Sequence, residues 1–373
     1  MKDLEKSSSN YKVLVSIDNF YIKGFVYYDD QIISSKKISI PQEFFIPTFE
    51  RTLFIIDFIK IIKNVQSTDL SDASIEIYTS LDFFKKDFLK ITDKLFIVNQ
   101  KYMNSISKYF SDKFEGIPCF IINISRDSIF ISGSLPFSSK LTSYDYLYDQ
   151  IFKIKDFSQF SILNGKIKKY NLYNTISRFS LSFRHELFLP IISTMAKTLL
   201  SSFKFEEDGQ IPIFILTGDM YQFLSDTQYS VFSLLYGLSL KGVISVYSDN
   251  SNILQLLSSI NDNYAFSYIN HLSDVFNVSF DKNSSVGLNI PIKIVDNESV
   301  KEIIVERNDF VSIPIKGRAH ITLHLPQEAF VGDKRGDIEM ISQSNIVIDT
   351  RDNTELSVYD VSRWIENSQD LVF

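Results

Sequence analysis

Two stretches, residues 11–40 and 117–144, share one layout, and that repetition constrains the fold more than any other feature of the chain. In the first, YKVLVSIDNFYIKGFVYYDDQIISSKKISI, Val13, Val15 and Ile17 alternate with Lys12, Leu14 and Ser16. Asp18-Asn19 breaks the run, and residues 22–28 and 32–40 resume it. Short alternating runs divided by Asn/Asp signals read as strands joined by tight turns. In the second stretch an apolar run over 117–124 is followed by the polar turn Arg126-Asp127, a run over 129–132, and a turn with a third strand over 133–141. Two three-stranded meanders, one in each half, predict a duplicated fold.

After each meander, helical and strand patterns alternate. Apolar residues at 53, 54, 56, 58, 61, 62 and 65 have helical spacing, so a helix is expected over 50–65. A strand over 73–78, a helix over 81–91, a strand over 94–98 and a helix over 102–110 come next. In the second half the pattern predicts helices over 142–155, 183–203 with a break near Pro190, 230–238 and 253–260, and strands over 211–216 and 242–247. The run Ile213-Phe214-Ile215-Leu216 ends in Thr217-Gly218-Asp219, a buried strand feeding a loop. From residue 288 the pattern changes to six short strand candidates, over 290–295, 302–306, 310–315, 319–325, 337–341 and 345–348, with a helix carrying Trp364 over 358–367. The expected organisation is a disordered leader over 1–10, an α/β lobe over 11–116, a second over 117–285, and a small all-β domain with a terminal helix over 286–373.

Composition excludes several functions. Net charge is −7 and the basic residues are scattered, as in Lys85-Lys86 and Lys168-Lys169, so no electrostatic footprint for nucleic acid exists. Glycine supplies 12 of 373 residues, a little under half the usual share of about 7%, which disfavours glycine-rich phosphate loops. The lone Cys119 lies in an apolar run and reads as a buried, inert thiol in an intracellular protein. No apolar run reaches the roughly 18 residues that span a bilayer. A cytoplasmic protein without direct membrane insertion is expected.

The doubled meander resembles the actin, Hsp70 and sugar-kinase superfamily, whose two ribonuclease H-like lobes each open this way. The resemblance implies that the two hairpin turns face the phosphates of a nucleotide between the lobes. The order of the Thr217-Gly218-Asp219 strand end, LLYGLSLKGVISVYSD over 234–249, VGDKRGDIEM over 331–340 and NIVIDTRDNTEL over 345–356 is similar to the C-terminal half of glutamate mutase L-type proteins. If nucleotide binds, the resemblance points to Asp18, Lys23, Asn123, Ser125, Gly218 and Asp219, with ATP and Mg as cofactors. The departures point the other way. Phe20 and Tyr21 are bulky where the family has small residues, both glycines of the second turn are replaced by the Asn123-Ile124-Ser125-Arg126-Asp127-Ser128 stretch, and Asp352-Asn353 stand where the family has Gly-Arg. The sequence therefore leads to a pseudo-ATPase scaffold: no catalytic residue, no cofactor, and one or more protein partners, membrane-associated ones included. The rivals are an ATP-dependent chaperone or reactivase of the glutamate mutase L type, and an actin-like component of a membrane-associated assembly machine.

Other constellations read blandly. His320 and His324 fall on one face of a strand but lack a third metal ligand at suitable spacing. Arg184-His185-Glu186 and Glu206-Glu207-Asp208-Gly209 read as solvated helix-start and turn residues. For Asp18 the alternative to a ligand role is plain turn chemistry, since Asp and Asn both favour hairpin turns.

Overall fold

The computed structural model describes residues 11–18, 21–64, 70–113, 117–124, 128–133, 140–143, 212–218, 242–249, 253–256, 268–282, 288–296, 299–315 and 317–351. The chain divides into two compact units. The first comprises Met1–Ser107, Thr217–Asp219 and Asp249–Asn270; the second comprises Lys108–Leu216, Met220–Ser248 and His271–Phe373.

In the first unit, β1 (Lys12–Ile17), β2 (Tyr21–Tyr28) and β3 (Gln31–Ser39) form the expected antiparallel meander. Then β4 (Ser74–Thr79) pairs parallel to β1, and β5 (Leu95–Ile97) parallel to β4, giving the order β3-β2-β1-β4-β5. Helix α1 (Arg51–Lys63) covers one face because Ile55, Phe58, Ile59 and Ile62 recur at helical spacing and are buried against Val13, Val15, Ile17, Ile22 and Val26. Burial of each such side chain stabilises by about 1.5–3 kcal/mol. Gly24 lets the helix approach closely: a Cβ there would lie 1.7 Å from the Ile62 Cδ1.

The helix expected over 81–91 is shorter in the structure. A 3-10 turn (Asp82–Phe84) leads into α2 (Lys85–Phe88), and then Lys90 and Ile91 donate their N–H groups three residues back, to Asp87 and Phe88, which tightens the chain out of the α-helix. This arrangement holds Arg51: its guanidinium donates to the carbonyls of Phe44 and Ile46, both at 2.6 Å, meets Asp87 at 3.3 Å, and stacks on Phe84. Helix α3 (Gln100–Lys113) follows as expected.

In the second unit, β6 (Cys119–Ile124), β7 (Ser128–Gly133) and β8 (Lys140–Ser143) make the second antiparallel meander. The strand runs to Ser143, two residues into the span expected to be helical; the rest of that span, and the helices expected over 183–203, 230–238 and 358–367, lie outside the described residues. Strand β9 (Ile213–Thr217) lies beside β6, and β10 (Gly242–Ser248) pairs parallel to β9, so the order β8-β7-β6-β9-β10 repeats that of the first unit. Of the helix expected over 253–260, a 3-10 turn (Ile253–Leu256) lies within the described residues.

The sheet then continues through β11 (Asn270–Phe280), a strand that the sequence pattern does not announce. Its burial is continuous across Ser273, Asp274 and Asn277, so no alternation of apolar and polar residues marks it. The C-terminal strands are β12 (Asn289–Val295), β13 (Val300–Glu306), β14 (Phe310–Ile313), β15 (Ala319–His324), β16 (Ala329–Val331), β17 (Asp337–Ser342) and β18 (Asn345–Asp349). Of these, β18 pairs parallel to β11 and β14 antiparallel to β18, while β13-β12-β15-β17 form a separate four-stranded sheet. The two layers share one core, including Phe276, Ile292, Ile294, Ile321, Leu323 and Ile348. Among the described residues no helix is long and apolar enough to cross a membrane.

Candidate functional site

The site starts where β1 ends. The register pairs Ile17 with Ile22, so Asp18 and Tyr21 close the hairpin: the Asp18 N–H donates to the Tyr21 carbonyl at 3.1 Å, and the Tyr21 N–H donates to Asp18 Oδ1 at 2.6 Å. Asn19 and Phe20 lie outside the described residues. Both the backbone amides that flank this turn and one oxygen of the Asp18 carboxylate are thus engaged inside the turn.

Strand alternation puts Ser16, Lys23 and Lys37 in one cross-strand row, on the face away from α1. Ser16 is buried, and its Oγ has no hydrogen-bond partner among the described residues. Lys23 is buried too. Burial pulls its ammonium down from 10.5 to about 8, with Lys37 adding to the fall, while the carboxylates of Asp18 and Asp249 push it back up. Burial also lowers Lys37, against the pull of Asp18, and its Nζ lies 3.6 Å from the centre of the Tyr21 ring.

Asp249 is the residue that sequence reasoning missed. It follows β10 directly and is fully buried. Its carboxylate accepts the Ile253 N–H at 2.7 Å, the Leu254 N–H at 3.1 Å and the Thr217 hydroxyl at 3.0 Å. Burial raises its pKa, and those three bonds together with Lys23 oppose the rise. A signal for it was present: Asp18 and Asp249 each come directly after an apolar strand, in VSID and VYSD.

Of the residues expected from sequence, Asp18 and Lys23 share this cluster. Gly218 belongs to the same unit; it follows Thr217 with φ of 108°, a conformation that favours glycine. Asn123 lies half-buried on β6 in the second unit, opposite Phe130 in the register. Ser125 and Asp219 lie outside the described residues. Cys119 is buried as expected, its thiol pushed up to about 12 by burial, which leaves it without thiolate character.

A second polar cluster lies in the second unit. Asp274 accepts the hydroxyls of Ser245 at 2.7 Å and Ser342 at 2.6 Å, and meets His271 Nε2 at 3.0 Å. Ser344 Oγ approaches the same Nε2 at 3.3 Å. Because one ring nitrogen faces both the carboxylate and the serine, the imidazole does not bridge them, as a Ser-His-Asp relay requires. His320 and His324 face Glu339 at 3.6 Å and Asp337 at 3.0 Å across the sheet. Among the described residues no three His, Cys, Asp or Glu side chains converge.

Each half of the chain carries a three-stranded antiparallel meander with two further strands beyond its first, in the same order. The fold is actin-like. No protein-family model and no curated protein matches the chain. Solved structures do match at low identity. Component A of (R)-2-hydroxyglutaryl-CoA dehydratase from Acidaminococcus fermentans is 11% identical over 66% of this chain and 94% of its own, with a TM-score of 0.36. An ethanolamine utilization protein from Carboxydothermus hydrogenoformans is 11% identical over 66% and 87%, with a TM-score of 0.36. A glucokinase from Balamuthia mandrillaris is 10% identical over 63% and 87%, with a TM-score of 0.35.

Proposed function

We propose that this actin-like chain is a non-catalytic scaffold or assembly factor of the cytoplasm that works through contacts with other proteins. The observation that carries the reading is the self-contained hairpin at Asp18. A polyphosphate is held by clustered backbone N–H groups that point outward. Here the Asp18 and Tyr21 amides are consumed within the turn, and the Lys23 charge is shared with two carboxylates, Asp18 and Asp249. Among the described residues of this turn, these engagements weigh against an Mg-nucleotide cradle.

One observation favours a second reading, an ATP-dependent reactivase. Lys23 and Lys37 lie side by side in the row that also holds the Ser16 hydroxyl, which has no partner among the described residues, and these groups could meet an anion. Titration of the full chain with fluorescent ATP, with and without Mg, separates the two. The scaffold reading predicts no binding at millimolar nucleotide. Mg-dependent binding in the micromolar range, about −8 kcal/mol, abolished by Asp18→Ala, would overturn it in favour of the reactivase.

A further inference from the structure

The four-stranded sheet β13-β12-β15-β17 has one face in the core and one face open. Alternation sends Ile290, Ile292, Ile294, Val305, Ile321, Leu323 and Ile338 inward, where all are buried. The register then assembles the open face in rows. One row reads Val300, Val295, His320, Ile341; the next reads Glu302, Lys293, Thr322, Glu339; beyond it Ile304 lies opposite Pro291.

The solvent face of an antiparallel sheet is normally polar. This one is not: Val300, Ile304 and Ile341 are 61%, 64% and 52% exposed. They are three of the ten large apolar side chains exposed among the described residues, and one sheet face gathers all three. Around them stand Glu302, Glu306, Asp337 and Glu339 against Lys293 and the exposed Arg318 just before β15, an acidic balance, with His320 and His324 facing two of the acids. An apolar stripe bordered by carboxylates is complementary to an apolar stripe bordered by lysine or arginine.

We propose that this face docks an amphipathic, basic helix of a partner protein. Strands lie about 4.8 Å apart, so the row from Val300 to Ile341 spans about 14 Å. That length matches about ten helical residues at 1.5 Å each, presenting apolar side chains at i, i+3 or i+4, and i+7. Lysines or arginines flanking that stripe reach Glu302 on one edge of the sheet and Glu339 on the other. The acidic border repels an anionic lipid surface, which makes a protein segment the occupant. The inference deepens the protein-contact reading but does not depend on the state of the nucleotide site, so the ATP titration and a peptide-binding experiment on this face fail separately.

That experiment uses the full chain and a fluorescent Leu/Lys helical peptide of about 14 residues, with a Leu/Glu peptide of the same pattern as control. The Leu/Lys peptide binds, more weakly as salt rises, and the Leu/Glu peptide does not. Ile341→Lys and Val300→Lys each weaken binding by about tenfold or more, whereas Leu53→Lys, at an exposed apolar position on α1, leaves it unchanged. All three positions are more than half exposed, and thermal melts confirm that each variant folds. Equal binding of both peptides, or unchanged affinity in Ile341→Lys and Val300→Lys, overturns the proposal. So does a wild-type dimer that Ile341→Lys dissociates, because the occupant is then a second copy of the chain.

Discussion

The Asp249 carboxylate accepts the Thr217 hydroxyl hydrogen at 3.0 Å while its charge bears on the buried ammonium of Lys23. An acid that follows one strand and a base in the middle of another thus balance each other out of contact with water. The balance is incomplete: burial still holds Lys23 at about 8, below its ordinary 10.5.

That deficit sets a pH dependence. Between pH 8 and 10.5 the unfolded chain keeps a proton on Lys23 that the folded chain has released, so stability rises with pH across that window. Below pH 8 the protonated lysine costs the fold its full penalty, about 3 kcal/mol at 1.4 kcal/mol per pK unit. Urea unfolding of wild type and Lys23→Met, compared from pH 6 to 10, should show the wild type gaining on the variant above pH 8 and a constant difference below pH 7. A difference that stays constant throughout would mean that Lys23 is not desolvated.

Asp249 should be costly to remove alone and cheaper to remove with its neighbour. Asp249→Ala strands two backbone N–H groups and a hydroxyl in the interior and leaves Lys23 with less counter-charge, a loss of about 3 kcal/mol or more. In Asp249→Ala with Lys23→Met both charges go together, and part of the loss returns. The coupling is read from a double-mutant cycle in urea. Additive losses would show that the two charges do not interact.

Gly24 tests the packing of α1. The Cβ of an alanine would fall 1.7 Å from Ile62 Cδ1 and 3.1 Å from the Phe58 ring, both in the core, so Gly24→Ala should cost about 1–3 kcal/mol. Ile62→Val removes the clashing Cδ1. The combination Gly24→Ala with Ile62→Val is therefore expected to be more stable than Gly24→Ala alone, and denaturation midpoints decide it. A single variant as stable as wild type would mean that the helix stands further from the sheet.

The first meander was legible because the face under α1 is apolar while Lys12, Ser16 and Lys23 stand on the other, so Val13, Val15 and Ile17 announce their strand. The C-terminal strands were legible for the same reason, with Ile290, Ile292 and Ile294 alternating against Asn289, Pro291 and Lys293. β11 was not, because both of its faces are buried and its interior holds Ser273, Asp274 and Asn277, whose partners lie on other elements. The site divides similarly. Asp18 and Lys23 are close in sequence and could be read together, whereas Lys23 and Asp249 are brought together by topology alone, which a local pattern does not carry.

Asp274 is the second place where a buried charge organises its surroundings, and here the interior favours the charge. Burial pushes its pKa up, but bonds from His271, Ser342 and Ser245 outweigh that and hold it below the ordinary 3.8. A depressed carboxylate contributes stability that is present above its unfolded value and is lost as pH falls through the folded one, so the effect disappears below about pH 4. Asp274→Asn keeps the shape, loses the charge, and turns one acceptor into a donor facing hydroxyls on β10 and at the end of β17. It should destabilise the chain by about 2–4 kcal/mol at pH 7, with the difference from wild type shrinking as the pH is lowered from 5 to 3. Thermal or urea unfolding over that range measures it. A difference that persists unchanged at pH 3 would show that the loss comes from geometry, and that the Asp274 charge adds nothing to stability.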